Sequence, residues 1–318
     1  MPSNPQADNA QTANNGPRDL PIPPPAINKL SPYVFLAPAV IIMAGASSYP
    51  VLHSIRLSLY DWSLGTDWAT REFIGIENYL RIFTDPSVYT SLGVTLTFAA
   101  AVVVSELVLG IILALLVEQG IKGLSVFRTI FILPMMIAPV VVGLIWRYLY
   151  DTRFGLINYY LQKIGIEPLL WLASPDLALL AIIIADIWQW TPFIFIIILA
   201  GLQSLPSSAI EAARVDGCST FQIIWNIKLP LLLPVITVAL LLRLIDAFRV
   251  LEVIFIMTFG GPGLSTEVLS LHIYKTAFIS QRLGMASAIS NFLLLVILIL
   301  SVVLLIIANP AKTERSAE

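Results

Sequence analysis

Four side chains in one apolar stretch, Asp186, Gln189, Trp190 and Phe193, stand at i, i+3, i+4 and i+7, the spacing that lines a single stripe of a helix. A carboxylate and an amide hydrogen-bond hydroxyl groups, and an aromatic face stacks on the apolar C–H surface of a pyranose, so this set suits a sugar. A second apolar stretch carries Arg243, Asp246, Arg249 and Glu252, charges of alternating sign every three residues. On a helix each neighbours its opposite while the set winds slowly around, which leaves Asp246 and Arg249 as the pair expected to share one buried face. The competing readings are salt links to a partner subunit for the four charges, and an inter-helical hydrogen bond for Asp186 and Gln189. Trp188 is expected to pack rather than to touch a ligand.

Those residues need a membrane to give them that meaning. The 318 residues are 58% hydrophobic and only 12% charged, against roughly 25% charged in soluble domains, and the mean hydropathy is +0.86. Six apolar stretches of spanning length follow, at 33–55, 91–117, 127–149, 177–202, 231–257 and 286–308, each near the 20 or so residues that cross a bilayer. The expected fold is an all-α polytopic membrane protein with six transmembrane helices over residues 33–308. An even count puts both termini on one side. Residues 1–32, rich in Asn, Gln and Pro and ending near Pro21-Ile22-Pro23-Pro24-Pro25, are expected to be a disordered cytoplasmic tail, and 309–318 a second short tail. Lys and Arg divide almost evenly between the two sets of loops, with Lys122 and Arg128 dense around one very short loop, so the positive-inside rule orients the chain only weakly.

Between the fourth and fifth stretches lies a polar segment, 204–230. It contains Glu211-Ala212-Ala213, then Asp216-Gly217, then Ile227-Lys228-Leu229-Pro230. Ser208 to Glu211 fits a capping box that starts a short helix, Gly217 suits its left-handed C-terminal turn, and Ser219 to Gln222 fits a second capping box. Pro230 and Pro234 sit where proline is tolerated, at the first turns of the next helix. The segment reads as a docking elbow of two short helices meeting at a glycine.

This spacing resembles the EAA loop of importer permeases in the ATP-binding cassette class, and the chain is similar to the carbohydrate-uptake branch of maltose, trehalose and glycerol-phosphate type. Phe73-Ile74-Gly75-Ile76-Glu77-Asn78-Tyr79 and Gly260-Gly261-Pro262 look like segments common in that branch. The resemblance implies a type I ABC importer permease whose EAA loop is the cytoplasmic coupling helix, with Glu211, Ala212, Ala213, Asp216, Gly217, Leu229 and Pro230 at the ATPase contact. It implies cytoplasmic termini in the inner membrane, two nucleotide-binding subunits that carry ATP-Mg, an extracytoplasmic solute-binding protein, and a second, distinct permease subunit. It places substrate contacts around Asp186, Gln189, Trp190 and Phe193 and around Asp246 and Arg249. The maltose-type site uses neutral amides where this chain offers Asp186, Asp246 and Arg249, so charge is expected to select another sugar.

No phosphate-binding glycine loop of the G-x-x-x-x-G-K-[ST] form and no nucleophile triad is present, so the chain is read as a transporter subunit rather than an enzyme, binding no cofactor itself. His53 and His272 stand apart from any Cys or carboxylate at ligand spacing, which argues against a metal. Cys218, the single cysteine, excludes an internal disulfide and is expected to be a small packing residue. A net charge of −2 argues against nucleic acid as a partner. Two alternatives remain: the same architecture carrying a non-sugar such as glycerol 3-phosphate, a phosphodiester or a polyamine, with Arg249 or Asp186 as counter-ion, and an ion-coupled secondary transporter using the intramembrane Asp and Arg as a relay.

Overall fold

The structure, a computed structural model, describes residues 31–67, 69, 71–118 and 124–308. Residues 1–30 of the first expected tail, the whole of the second and Lys122 lie outside the described residues, while Ser31 and Pro32, expected in the tail, begin a helix. Helix α1 (Ser31–Leu57) is followed by a two-residue β-pair, β1 (Tyr60–Asp61) with β2 (Glu72–Phe73), and by α2 (Glu77–Ile82) and α3 (Pro86–Glu118). Next come α4 (Leu124–Met136), α5 (Pro139–Leu149), α6 (Leu156–Lys163) and α7 (Pro175–Gln203). The rest is α8 (Ser207–Val215), α9 (Thr220–Ile223), a π-helical turn (Ile224–Lys228), α10 (Leu229–Phe248), α11 (Glu252–Met257), α12 (Leu269–Tyr274), a second π-helical turn (Lys275–Ile279) and α13 (Leu283–Ala308). Among the described residues five helical stretches are long and apolar enough to cross a membrane, six if α4 and α5 count as one.

The residues before 52 and those from 52 onward form two units. The described part of the first is the apolar helix α1 as far as Val51, with Pro38 and Pro50 inside it. In the second, α3 and α7 pack along each other, and small residues set the distance. A Cβ added at Gly110 would come to 2.6 Å from the Ile194 side chain of α7, and, where α7 meets α10, one at Gly201 to 2.8 Å from Leu232. This is how helices associate in lipid, where apolar residues alone give no preference for a neighbour over acyl chains. Phe98, Ala99 and Val102 of α3 meet Ala181, Ile182 and Ala185 of α7, Phe248 of α10 and Ile289 of α13 in one buried cluster. Ala114 and Val117 meet Ile198, Leu232 and Ala239 in a second, nearer the end that bears the 204–230 segment.

Two expected spans are interrupted. The stretch 127–149 is not one straight helix: α4 and α5 meet at 101° across Ile137–Ala138. Proline causes the break, since Pro139 opens α5 and disfavours helical backbone at the residue before it. The bend lays α5 against α11, where Gly143 faces Ile256 and Arg147 Nη1 donates to the Ile256 carbonyl at 3.1 Å. The stretch 231–257 breaks at 249–251, between α10 and α11.

At the end opposite the 204–230 segment, Asn78 donates from Nδ2 to the carbonyls of Ser58 and Tyr60, at 2.9 and 3.1 Å, and Tyr79 shares its hydroxyl with Ser58 and Asn291. The sequence 73–79 therefore fastens its own loop. At the same end Glu267, 3% exposed, takes Lys275 Nζ at 2.5 Å and His272 Nδ1 at 2.7 Å, while Lys275 lies over the Phe259 ring. Burial pushes the Glu267 carboxyl up, but the hydrogen bonds and charges of His272 and Lys275 outweigh it and hold the group below its ordinary 4.5. A carboxyl lowered on folding contributes stability that is present above the ordinary value and is lost as pH falls below it. Thermal unfolding of the purified protein is therefore expected to lose midpoint temperature as pH drops below about 4.5, and Glu267→Gln is expected to remove that part of the acid sensitivity.

Candidate functional site

Arg243 of α10 is the centre of the site. Its side chain is 1% exposed, and its guanidinium is shared among three carboxylates from three helices. Nε donates to Glu106 Oε2 at 2.5 Å and Nη2 to Glu106 Oε1 at 3.0 Å, a two-pronged contact with α3. Nη2 also donates to Asp186 of α7, and Nη1 to Asp246 Oδ2 at 3.0 Å. The guanidinium carbon lies 5.4 Å from the Trp190 ring centroid, a cation–π contact. Glu106 and Asp186 are 0% and 2% exposed, whereas Asp246 is 51% exposed. The planar fork of arginine can serve three partners in this way because it presents five donors in fixed directions.

The pairing differs from the one expected from periodicity. Asp246 turns to Arg243, and Arg249, the C-cap of α10, is exposed. The helical phase that would have set Asp246 beside Arg249 ends at Phe248. Glu106, absent from the sequence-derived set, is the most buried member of the cluster.

A cavity of about 120 Å³ opens on the exposed side of this cluster, lined by Asp186, Trp190, Asp246, Arg249, Glu252 and Pro139 among others. Four of the six expected substrate contacts, Asp186, Trp190, Asp246 and Arg249, thus come together around it, with Glu252 beside them. The other two do not line it. Gln189, fully buried, donates from Nε2 to the Ile137 carbonyl at 3.0 Å and so closes the bend between α4 and α5. Phe193 meets Trp190 edge to face at 6.2 Å. Trp188 packs edge to face on Trp146. Among the described residues no group of three or more His, Cys, Asp or Glu side chains is placed to hold a metal ion.

The segment 204–230 has a geometry of its own. Helix α8 starts at Ser207 with Pro206 as N-cap and no side-chain cap, so the expected box from Ser208 to Glu211 does not form; Ser208 already lies inside the first turn. Its C-terminus closes as expected. Gly217 adopts φ +81°, its N–H donates to the Arg214 carbonyl at 3.1 Å, and Cys218 N–H reaches the Ala213 carbonyl at 3.0 Å, the two bonds of a Schellman motif. Ser219 and Gln222 form a reciprocal capping box at the start of α9. Glu211, Ala212 and Asp216 are exposed and Ala213 is buried. No described residue forms an ion pair with Glu211, and Val215, Phe221 and Trp225 add an apolar exposed face, the two rings stacked at 6.2 Å. Cys218 is exposed rather than packed. Leu229 and Pro230 open α10.

Residues 106–310 match the family described as the binding-protein-dependent transport system inner membrane component. The chain is 36% identical over 273 residues to the trehalose/maltose transport system permease protein MalF of Thermococcus litoralis, covering 86% of this chain and 92% of that one. It is 30% identical over 279 residues to the sn-glycerol-3-phosphate transport system permease protein UgpA of Agrobacterium fabrum, covering 86% and 93%. Among solved structures it resembles a chain of a bacterial alginate ABC transporter in complex with an alginate pentasaccharide-bound periplasmic protein, with a TM-score of 0.74, 25% identity and coverage of 87% and 92%.

Proposed function

This chain belongs to the family of binding-protein-dependent transport system inner membrane components, and from that premise we propose that it is one permease subunit of an ATP-driven importer for a di- or oligosaccharide or a related polyol. The observation that carries the substrate class is the cavity beside Arg243. Asp246 and Glu252 offer acceptors, Trp190 an aromatic face, and Arg249 five donors, the mixture that recognises hydroxyl groups around an apolar ring. Arg243 is already engaged on every side by carboxylates, so it orders the wall of the cavity and the half-exposed Asp246 meets the cargo.

At about 120 Å³ the cavity is smaller than the roughly 300 Å³ at which ligand pockets begin. A second, similar but distinct permease subunit supplies the missing wall. Two nucleotide-binding subunits carrying ATP-Mg close beneath the 204–230 segment, with Glu211 facing a cation on one of them, and an extracytoplasmic binding protein delivers the cargo at the opposite end. In this arrangement both termini and the 204–230 segment are cytoplasmic, and the chain itself performs no catalysis. Closure of the ATPase pair draws the elbows together and the bundle alternates its access.

A second reading, import of a glycerol phosphodiester, has one observation in its favour: Arg249 is exposed and lines the cavity. Asp246 and Glu252, which line the same cavity, disfavour an anion, since like charges in a low-dielectric wall repel. ATPase stimulation of the assembled complex by its binding protein, across neutral disaccharides, polyols and glycerol phosphodiesters, separates the readings. Stimulation by a neutral sugar that falls roughly tenfold or more in Asp246→Ala, the equivalent of one lost charge-assisted hydrogen bond, supports the proposal. Stimulation by a phosphodiester alone overturns the sugar.

A further inference from the structure

Besides the Arg243 cluster, one more ion pair among the described residues joins α3 to the chain that becomes α10. Lys228, the last residue of the π-helical turn between α9 and α10, reaches both carboxylate oxygens of Glu118, the last residue of α3, at 2.8 and 2.6 Å. The two side chains are 13% and 21% exposed. Twelve residues separate Glu118 from Glu106, about 18 Å along a helix, and fifteen separate Lys228 from Arg243, about 22 Å. The same pair of helical segments is therefore pinned at two levels about 20 Å apart. Between the pins, Ala114 and Val117 pack with Leu232, Ile236 and Ala239.

We propose that Glu118 and Lys228 are positioning residues that tie the 204–230 elbow to α3, so that displacement of the elbow moves α3 and α10 as one body and reaches the Arg243 cluster undiminished. This rests on the reading of that segment as the ATPase contact. A helix pair held at one point can pivot or slide; held at two, it can do neither without breaking an ion pair. Packing alone does not provide the lower hold, because a cavity of about 320 Å³ lies beside the ion pair, lined by Leu115, Arg214, Thr220 and Ile223 together with the pair itself. The π-helical turn delivers Lys228 to this spot. Widening of the turn by one residue is the kind of local irregularity that helices carry where a side chain has a task.

A partly exposed pair contributes little to stability, so its removal leaves the protein folded and the effect is read in coupling. The test uses the assembled complex in proteoliposomes, with its binding protein outside and ATP inside, measuring sugar uptake per ATP hydrolysed. Lys228→Glu and Glu118→Lys are each expected to lower uptake per ATP roughly fivefold, the equivalent of about 1 kcal/mol, while ATP hydrolysis continues. The exchanged double variant restores it. Where a single reversal prevents assembly, Lys228→Met with Glu118→Gln removes both charges, and the same fall is expected. Glu211→Lys is measured alongside. If Glu211→Lys uncouples uptake but the Lys228 and Glu118 variants do not, or if the exchange fails to restore coupling, this inference is wrong and the elbow reading survives. If Glu211→Lys also leaves uptake per ATP unchanged, the elbow reading itself falls.

Discussion

Replacing Arg243 with alanine is expected to cost about 3–5 kcal/mol of stability and to strip most of the folded protein from the membrane. Among the described residues Arg243 is the one cation ion-paired with Glu106, Asp186 and Asp246, and two of those carboxylates are as buried as it is. Truncation leaves both without a counter-charge inside the bundle, and an unpaired buried charge costs far more than a lost ion pair yields. Arg243→Lys keeps the charge but not the fork, so it is expected to hold Glu106 or Asp186 but not both, with a smaller loss. Arg243→Met combined with Glu106→Gln and Asp186→Asn removes every buried charge at once and is expected to recover most of the stability. Yield after solubilisation and the midpoint of thermal unfolding read all three. Wild-type stability in Arg243→Ala would show that the cluster does not hold α3, α7 and α10 together.

Reversing the charge of Glu211 is expected to abolish coupled uptake while leaving the permease folded. Glu211 is exposed on α8, among described residues it pairs with none, and Val215, Phe221 and Trp225 present an apolar face on the same segment. Exposed carboxylates tolerate replacement within the monomer, so the loss must arise at a partner. Losing one member of a buried interfacial charge pair costs about 2–5 kcal/mol, roughly 30-fold in association at the lower end, and a reversed charge adds repulsion. Co-purification of the nucleotide-binding subunits and uptake by the reconstituted complex check it. Retention of both in Glu211→Lys would remove the elbow from the mechanism.

Much of this was legible in the residues, for reasons that differ from place to place. The elbow was, because its devices are local: Gly217 takes the left-handed turn that glycine permits, and Ser219 with Gln222 caps α9 within four residues. Ser208 misled, since a sequence pattern for a capping box does not fix where the first turn begins, and Pro206 took the N-cap. The bend at Ile137 had its signal in Pro139, read past because the residues on either side of it are apolar from Ile130 to Trp146. The break at 249–251 had none: Arg249-Val250-Leu251 contains neither glycine nor proline, and without it the phase of Asp246 and Arg249 looked continuous. Glu106 was visible as a lone carboxylate inside the apolar stretch 91–117. Its partner, however, lies 137 residues further on, a pairing that periodicity cannot supply. Gln189 was placed on the right stripe of α7 but serves the Ile137 carbonyl instead of the cavity.

ATP-driven sugar import is tested most directly by uptake of a labelled disaccharide into proteoliposomes holding this chain, its partner permease and the ATPase subunits, with binding protein outside. Uptake is expected to require ATP inside, to require the binding protein, and to be indifferent to an imposed or dissipated proton gradient. Uptake that continues without ATP and collapses with the gradient would contradict it, and would make the Arg243 cluster part of an ion relay.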